Sequence, residues 1–409
     1  MKKIITLMLV TISINSFAQF PPVITSWIIN SNSDTGYGGI PSDVQQVQYS
    51  DSNVYVSCTD IPSYDIGPWP GNPNIAGNQS FVFKITRNPK KNLGNLVVTP
   101  YGHIGVWSNG VSIFNPKDAM SYANLNVWFQ NAYYFEGDGF DDCLGHPNQQ
   151  KEYHNHVNPQ CLYDDTDSLN HSPIIGYAFD GFPVYGAYGY VNTDGTGGIK
   201  RMKSSYQFRN ITQRTTLPDG TILDASLYGP SVNSTYPIGS YLQDYEYLES
   251  SGDLDNFNGR FCVTPDYPSG IYAYFVTIDD SLLPAYPYVL GPNYYGTVQS
   301  GNTGPGSGHN VISEPVTVYS SVNEADDQIE FSLYPNPVVD QLNVYIHSSY
   351  LNNLTAALYN PSGQLMDWKE NLQPATTYSF DARSLSPGMY CLKIFSANNS
   401  FISKIIITK

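Results

Sequence analysis

Basic residues are scarce in this chain of 409: 19 Lys and Arg stand against 35 Asp and Glu, for a formal net charge of −16. Only 13% of the residues are charged, so the negative balance comes from thinly spread carboxylates and not from acidic tracts. A surface this poor in cations argues against nucleic acid or anionic lipid as a partner. Long apolar runs are missing as well. The run Ile4 to Val10 is followed by Thr11, Ser13 and Asn15, far short of the roughly 20 apolar residues of a membrane helix, and no later segment is long and apolar enough to span a membrane. The five cysteines include no CxxC pair, which removes the usual zinc and thiol-redox spacings. A G-x-S-x-G elbow, a P-loop, an H-E-x-x-H helix and a dinucleotide fingerprint are all absent.

What is present begins with Met1-Lys2-Lys3, the short apolar run, and Ser16-Phe17-Ala18. A basic start, a brief apolar stretch and a small-residue exit describe a secretory signal peptide over 1–18. The remainder is long enough for one large and one small domain. With 34 Tyr, 34 Gly and 29 Pro, it favours short strands, tight turns and ordered loops. A Ser- and Gly-rich stretch over 297–330 reads as a linker. Beyond it, Leu342-Asn-Val-Tyr-Ile346 and three later runs, Ala356 to Tyr359, Gly388 to Phe395 and Ile402 to Ile407, alternate apolar and polar residues, with Asn360-Pro-Ser-Gly363 and Ser386-Pro-Gly388 in the intervening turns. That pattern predicts a small Ig-like β-sandwich over 331–409. Through Tyr334-Pro-Asn-Pro337, Tyr359-Asn with Gly363, Leu385 to Tyr390 and Lys404 to Lys409, this tail resembles the type A C-terminal sorting domain of the Bacteroidetes type IX secretion system. The resemblance implies the type IX machinery as a partner, and a protein released or held at the surface after crossing the outer membrane.

The cargo is the region 19–296, expected to be a large β-rich domain. Two of its stretches echo each other: Gly105-Val-Trp-Ser-Asn-Gly-Val-Ser-Ile-Phe114 and Gly176-Tyr-Ala-Phe-Asp-Gly-Phe-Pro-Val-Tyr185. Asn109-Gly110 and Asp180-Gly181 mark hairpins, with positive φ expected at both turn residues. A second echo joins Tyr153-His-Asn-His-Val157 to Tyr272-Ala-Tyr-Phe-Val276, which together suggest a degenerate duplication. A short helix is predicted to start at Asp118 through Tyr122. Four of the seven histidines fall between 146 and 171. On a strand, period 2 puts His154 and His156 on one face and Tyr153, Asn155 and Val157 on the other. Two imidazoles so placed converge on one cation, and His146 supplies a third ligand. Asp141, Asp142, Glu152 and the more distant Asp180 are candidates to complete the shell or orient a ring. His171 is assigned to capping or surface hydrogen bonding, Arg260 to an ion pair with Asp253 or Asp255, and Trp69, Trp107 and Trp128 to the core. Cys143 with Cys161 is the first expected disulfide and Cys58 with Cys262 the second.

The order of these stretches, continued by Asn131 to Glu136, His171 to Gly186, Asp253 to Pro268 and Gly270 to Thr277, resembles the YHYH-domain proteins. The third position of the eponymous motif is Asn155 here, while both histidines are kept. The resemblance names a domain and implies no activity. Three readings of function stand open: a copper or zinc centre on His146, His154 and His156, a carbohydrate- or surface-binding module using the aromatic residues, and a metal-independent hydrolase pairing a histidine with Asp180 or Asp142. Whether the protein is an enzyme is not decided by these residues.

Overall fold

The computed structural model describes residues 20–320, 331–347, 354–395 and 400–408. The signal-peptide expectation for 1–18 lies outside them. The chain forms two compact units that divide between Ser321 and Val322, and strands dominate both.

Three strands, β1 (Val44–Tyr49), β2 (Asn53–Cys58) and β3 (Phe81–Thr86), form an antiparallel meander. The late segment Thr317–Tyr319 adds to its β1 edge. The centre of the unit is an eight-stranded sheet built from β4 (His103–Trp107), β5 (Ser112–Phe114), β6 (His146–Pro147), β7 (Tyr153–Asn155), β8 (Ile174–Ala178), β9 (Pro183–Tyr185), β10 (Gly259–Cys262) and β11 (Ile271–Phe275). Their spatial order is β10-β11-β9-β8-β4-β5-β7-β6. β4 and β8 are buried throughout, as strands covered on both faces must be. On one face Val106, Tyr177, Tyr185 and Phe275 pack against Val47, Val56, Phe81 and Phe83 of the meander. On the other, Trp107, Ile113, Tyr153, Ile175, Tyr272 and Tyr274 pack under long loops.

The sheet is a duplication. Hairpin β4–β5 is answered by hairpin β8–β9, and the two meet through antiparallel β4 and β8 with Val106 opposite Tyr177. Each hairpin's second strand then takes a parallel neighbour: Asn155 of β7 lies opposite Ile113, and Tyr274 of β11 lies opposite Val184. Each parallel strand is flanked by an antiparallel edge, β6 or β10. The register therefore equates Tyr153 with Tyr272, His154 with Ala273, and His146 with Arg260. A third echo follows, Asp141-Asp-Cys-Leu-Gly-His146 against Asp255-Asn-Phe-Asn-Gly-Arg260. In both, the Asp accepts the backbone N–H groups two and four residues on and a tyrosine hydroxyl, Tyr153 or Tyr272. In both the glycine is required: a Cβ at Gly145 or Gly259 would stand 2.4 Å from that hydroxyl oxygen.

Both predicted hairpins form, with a different turn. Trp107 N–H bonds Val111 O while Gly110 N–H bonds Trp107 O, and Ala178, Phe182 and Gly181 repeat the pattern. These are three-residue loops in which glycine alone takes positive φ, 84° at Gly110 and 88° at Gly181. Asn109 and Asp180 instead accept the N–H two residues on. The helix expected from Asp118 is also absent: Lys117–Ser121 is a strand paired with Phe129–Asn131, Lys117 opposite Asn131 and Ser121 opposite Phe129 with an irregularity between. A one-turn helix follows at Ala132–Phe135, with the Asn131 side chain accepting Tyr133 N–H at its start.

The expected linker over 297–330 begins too early. Residues up to 320 belong to the first unit, because buried Asn302 bonds both backbone groups of Lys84 and so substitutes for a strand neighbour. His309 bridges to Val82, and Glu314 accepts from Asn53 and Tyr55. Small polar residues can do this without a core of their own because each bonds backbone already fixed in a sheet.

The second unit is the expected sandwich. β12 (Phe331–Tyr334), β13 (Gln341–Ile346), β14 (Leu354–Tyr359), β15 (Leu365–Leu372), β16 (Thr377–Asp381), β17 (Gly388–Phe395) and β18 (Ser400–Ile407) form sheets ordered β12-β13-β16 and β15-β14-β17-β18. Val344, Ile346, Leu358, Phe380, Leu392, Ile394 and Ile405 close the core between them. Asn336 of the Tyr334-Pro-Asn-Pro337 turn accepts from Ile406 N–H and donates to Lys404 O, which ties that turn to the basic final strand.

Candidate metal centre

β7 delivers its histidines as period 2 demands. Tyr153 and Val157 enter the hydrophobic cluster under the loops, while His154 and His156 leave on the opposite face with their Nε2 atoms 3.1 Å apart. His146 lies opposite His154 on the edge strand β6. The Cys143–Cys161 disulfide forms and ties the loop before His146 to the segment after β7. The other expected pair does not: Cys58 and Cys262 are separate buried thiols. Cys58 packs on Gly110 at the tip of hairpin β4–β5, whereas Cys262 sits on edge strand β10. Four strand spacings of about 4.8 Å separate β10 from β4, well beyond disulfide reach.

The rings are fixed from behind. His154 Nδ1 bonds Glu152 O at 3.1 Å, and His156 Nδ1 bonds Asn115 O. A carbonyl oxygen only accepts, so both Nδ1 atoms carry a proton, and in the neutral ring each Nε2 presents a lone pair. The Phe114 ring lies flat on His154 with centroids 3.8 Å apart, and Phe140 meets His146 edge-on at 4.8 Å. Burial is nearly complete, with His146, His154 and His156 only 7%, 2% and 4% exposed. It lowers the His146 pKa to about 4, helped by neighbouring His156 and opposed by Glu136. His154 is pushed well down by burial and then by His146 and His156.

Sequence reasoning missed the carboxylate. Glu136 follows the one-turn helix, and its Oε2 stands 3.3 Å from His156 Nε2 and 3.7 Å from His146 Nε2. Burial raises its pKa, but the closeness of His156 and then of His146 outweighs that and leaves it below the ordinary value. Ten residues upstream of His146, Glu136 has no local spacing to announce it. Asp118 lies behind it, raised to about 6 by burial and then by Glu136. The carboxylates proposed from sequence are occupied elsewhere. Asp141 serves the turn, Tyr153 and Trp69 Nε1. Asp142 is exposed. Glu152 orients His154 through its backbone carbonyl, its side chain going to Asn148. Asp180 accepts from Tyr274 OH and Gly296 N–H, with no histidine beside it.

The remaining assignments divide. Trp69, Trp107 and Trp128 are buried, as expected. His171 bonds Ser172 O among Tyr185, Tyr190 and Phe275, in the second repeat and outside the triad. Arg260 forms no ion pair with Asp253 or Asp255, because Lys200 takes Asp253 and Tyr272 takes Asp255. Its guanidinium bonds the carbonyls of Tyr190 and Val191 and lies over the Phe275 ring. In the repeat register Arg260 and Phe275 replace His146 and His156. A permanent cation thus stands in the second repeat on the position of His146.

A mainly β protein with a buried histidine cluster on one unit and a terminal sandwich on the other is thereby defined. Residues 82–287, half of the chain, match the family described as YHYH protein, and the chain belongs to that family. Residues 332–408 match the secretion system C-terminal sorting domain. That domain implies handling by the type IX secretion machinery and delivery to the medium or the cell surface. No curated protein matches the sequence. Among the described residues no helix is long and apolar enough to cross a membrane.

Proposed function

We propose that the exported YHYH unit binds a divalent transition metal, copper or zinc, through His146, His154 and His156, with Glu136 as the fourth, rim-side ligand. One observation carries the reading: two Nε2 lone pairs face each other at 3.1 Å, and a carboxylate oxygen closes on one of them at 3.3 Å. Lone pairs at that range repel unless a proton or a metal cation lies between them, and one metal ion would serve both nitrogens and the carboxylate together. Four ligands around zinc at roughly 2.0–2.1 Å would stand about 3.3 Å from one another. The unpartnered buried Nε2 of His146 and Oε2 of Glu136 point the same way. Three imidazoles and one carboxylate suit a borderline ion. The lowered pKa values of His146 and His154 mean that little proton competition opposes metal at those two rings at neutral pH. Glu136, with its side chain 30% exposed, gives the ion a path from solvent.

The test is elemental analysis of the protein purified without a histidine tag, beside Glu136→Gln and His154→Ala. Near-stoichiometric copper or zinc, lost in His154→Ala and weakened in Glu136→Gln, is expected. A folded protein that takes up neither metal would refute the reading.

A further inference from the structure

The two repeats differ most in what they insert before their outer strands, and the inserted arms enclose a cleft of about 710 Å³. One wall comes from Asn115 to Phe129 of the first repeat, the other from Tyr206, Leu217 to Leu223 and Leu242 to Tyr247 of the second, with Tyr286 at the base. The volume falls within the roughly 300–1,000 Å³ of small-molecule sites. None of the four proposed metal ligands lines it.

Tyrosine rings line one side. Tyr245 is stacked between Tyr286 and Phe208, with centroids 4.1 and 4.9 Å away, so its faces are covered, and half-buried Tyr247, which meets Tyr206 at a tilt, is the ring left to offer a face. Fixed polar groups stand among them. Gln243 Oε1 accepts Phe129 N–H at 2.8 Å, which directs the side-chain NH2, a double donor, away from that bond. Lys117 on the facing wall has its ammonium over the rings of Phe129 and Tyr101, at 5.0 and 5.5 Å. It takes part in no ion pair among the described residues, in a chain with a net charge of −16. Burial lowers its pKa, and no carboxylate counters the effect. Asp219, the one carboxylate of the lining, is exposed and under the influence of Arg209, and a cation in the wall with no carboxylate paired to it favours an anionic ligand. One lysine suits a single carboxylate better than a polyphosphate, which draws several cations or a helix terminus.

We propose that this cleft binds an acidic saccharide, with the C–H face of a sugar ring on Tyr247, hydroxyls on Gln243 and a uronate carboxylate on Lys117. The cleft contains none of the metal ligands and meets their surroundings only at Asn115, whose carbonyl accepts from His156, and an exported protein meets such polymers outside the cell.

The test is calorimetric titration of the full chain with short oligogalacturonates and oligoalginates, neutral cello-oligosaccharides and ferulate as an aromatic acid. Acidic oligosaccharides are expected to bind, and neutral ones to bind at least tenfold more weakly. Lys117→Met should remove that preference and Tyr247→Ala should lower affinity at least fivefold, both with an unchanged melting temperature. His154→Ala should leave sugar binding intact, which separates this outcome from that of the metal reading. Gln243→Ala provides a second cleft variant should Lys117→Met fold poorly. Absence of binding at millimolar sugar, affinity indifferent to the cleft variants, or tighter binding of ferulate would each overturn the proposal.

Discussion

Asp141 shows how a single side chain serves the site without touching it. It holds Gly67 N–H, Trp69 Nε1, the turn before His146 and the Tyr153 hydroxyl, so it fixes β7 from the face opposite the histidines. Removing one such bond by Tyr153→Phe should cost about 1–3 kcal/mol, because a buried acceptor loses its donor. Tyr272→Phe should cost a similar amount through Asp255, as urea denaturation would show. His103 sets a pH limit: fully buried, with Nδ1 on Ser307, it is lowered to about 3 by burial and then by His309. Unfolded, it titrates near 6.5. Between those values the unfolded chain takes up a proton that the folded one refuses. Its contribution is therefore complete above pH 6.5 and lost as pH falls toward 3. Denaturation midpoints should fall through that window, and His103→Gln should flatten the slope. At this scale the sequence was legible wherever a period or a short spacing carried the information, as for His154, His156 and the Cys143–Cys161 bridge. Glu136 was not, since only the tertiary fold brings it to the imidazoles.

At the scale of elements, the duplication decides what can be read. Two echoes survive in sequence because hairpin glycines and strand tyrosines meet the same steric demand in both copies. The third, Asp141 to His146 against Asp255 to Arg260, shares only Asp and Gly and becomes visible once the register is known. Gly145→Ala and Gly259→Ala should both destabilise the unit markedly by driving a Cβ into a tyrosine hydroxyl, and thermal unfolding would show matched losses. Strand expectations failed where local composition misled. The run from Asp118 has no proline or glycine to forbid a helix, but pairing with Phe129–Asn131 overrides propensity. Residues 297–320 read as a linker because Ser, Gly, Thr and Asn dominate their first half, and their role lies in bonding strands already formed. A protein ended at residue 296 should melt at a lower temperature than one ended at 320, since it strips Lys84 of the Asn302 bonds and β1 of its neighbour.

On the scale of the whole molecule, each unit has its own hydrophobic core, so each should fold without the other. Deleting residues 331–409 should leave the YHYH unit folded and able to bind metal, but absent from the medium and the cell surface on fractionation. The sandwich and its role were legible because sorting sequences carry their strand pattern and turn motifs in order. The candidate metal site of the YHYH unit was legible only as a set of histidines.

The most direct measurement is the metal content of the tag-free protein, by mass spectrometry, beside the double variant His154→Ala/His156→Ala. The account predicts close to one copper or zinc per chain in the first and none in the second, with both folded. Equal metal content in the two, or a folded parent that remains metal-free after incubation with copper and zinc, would contradict it.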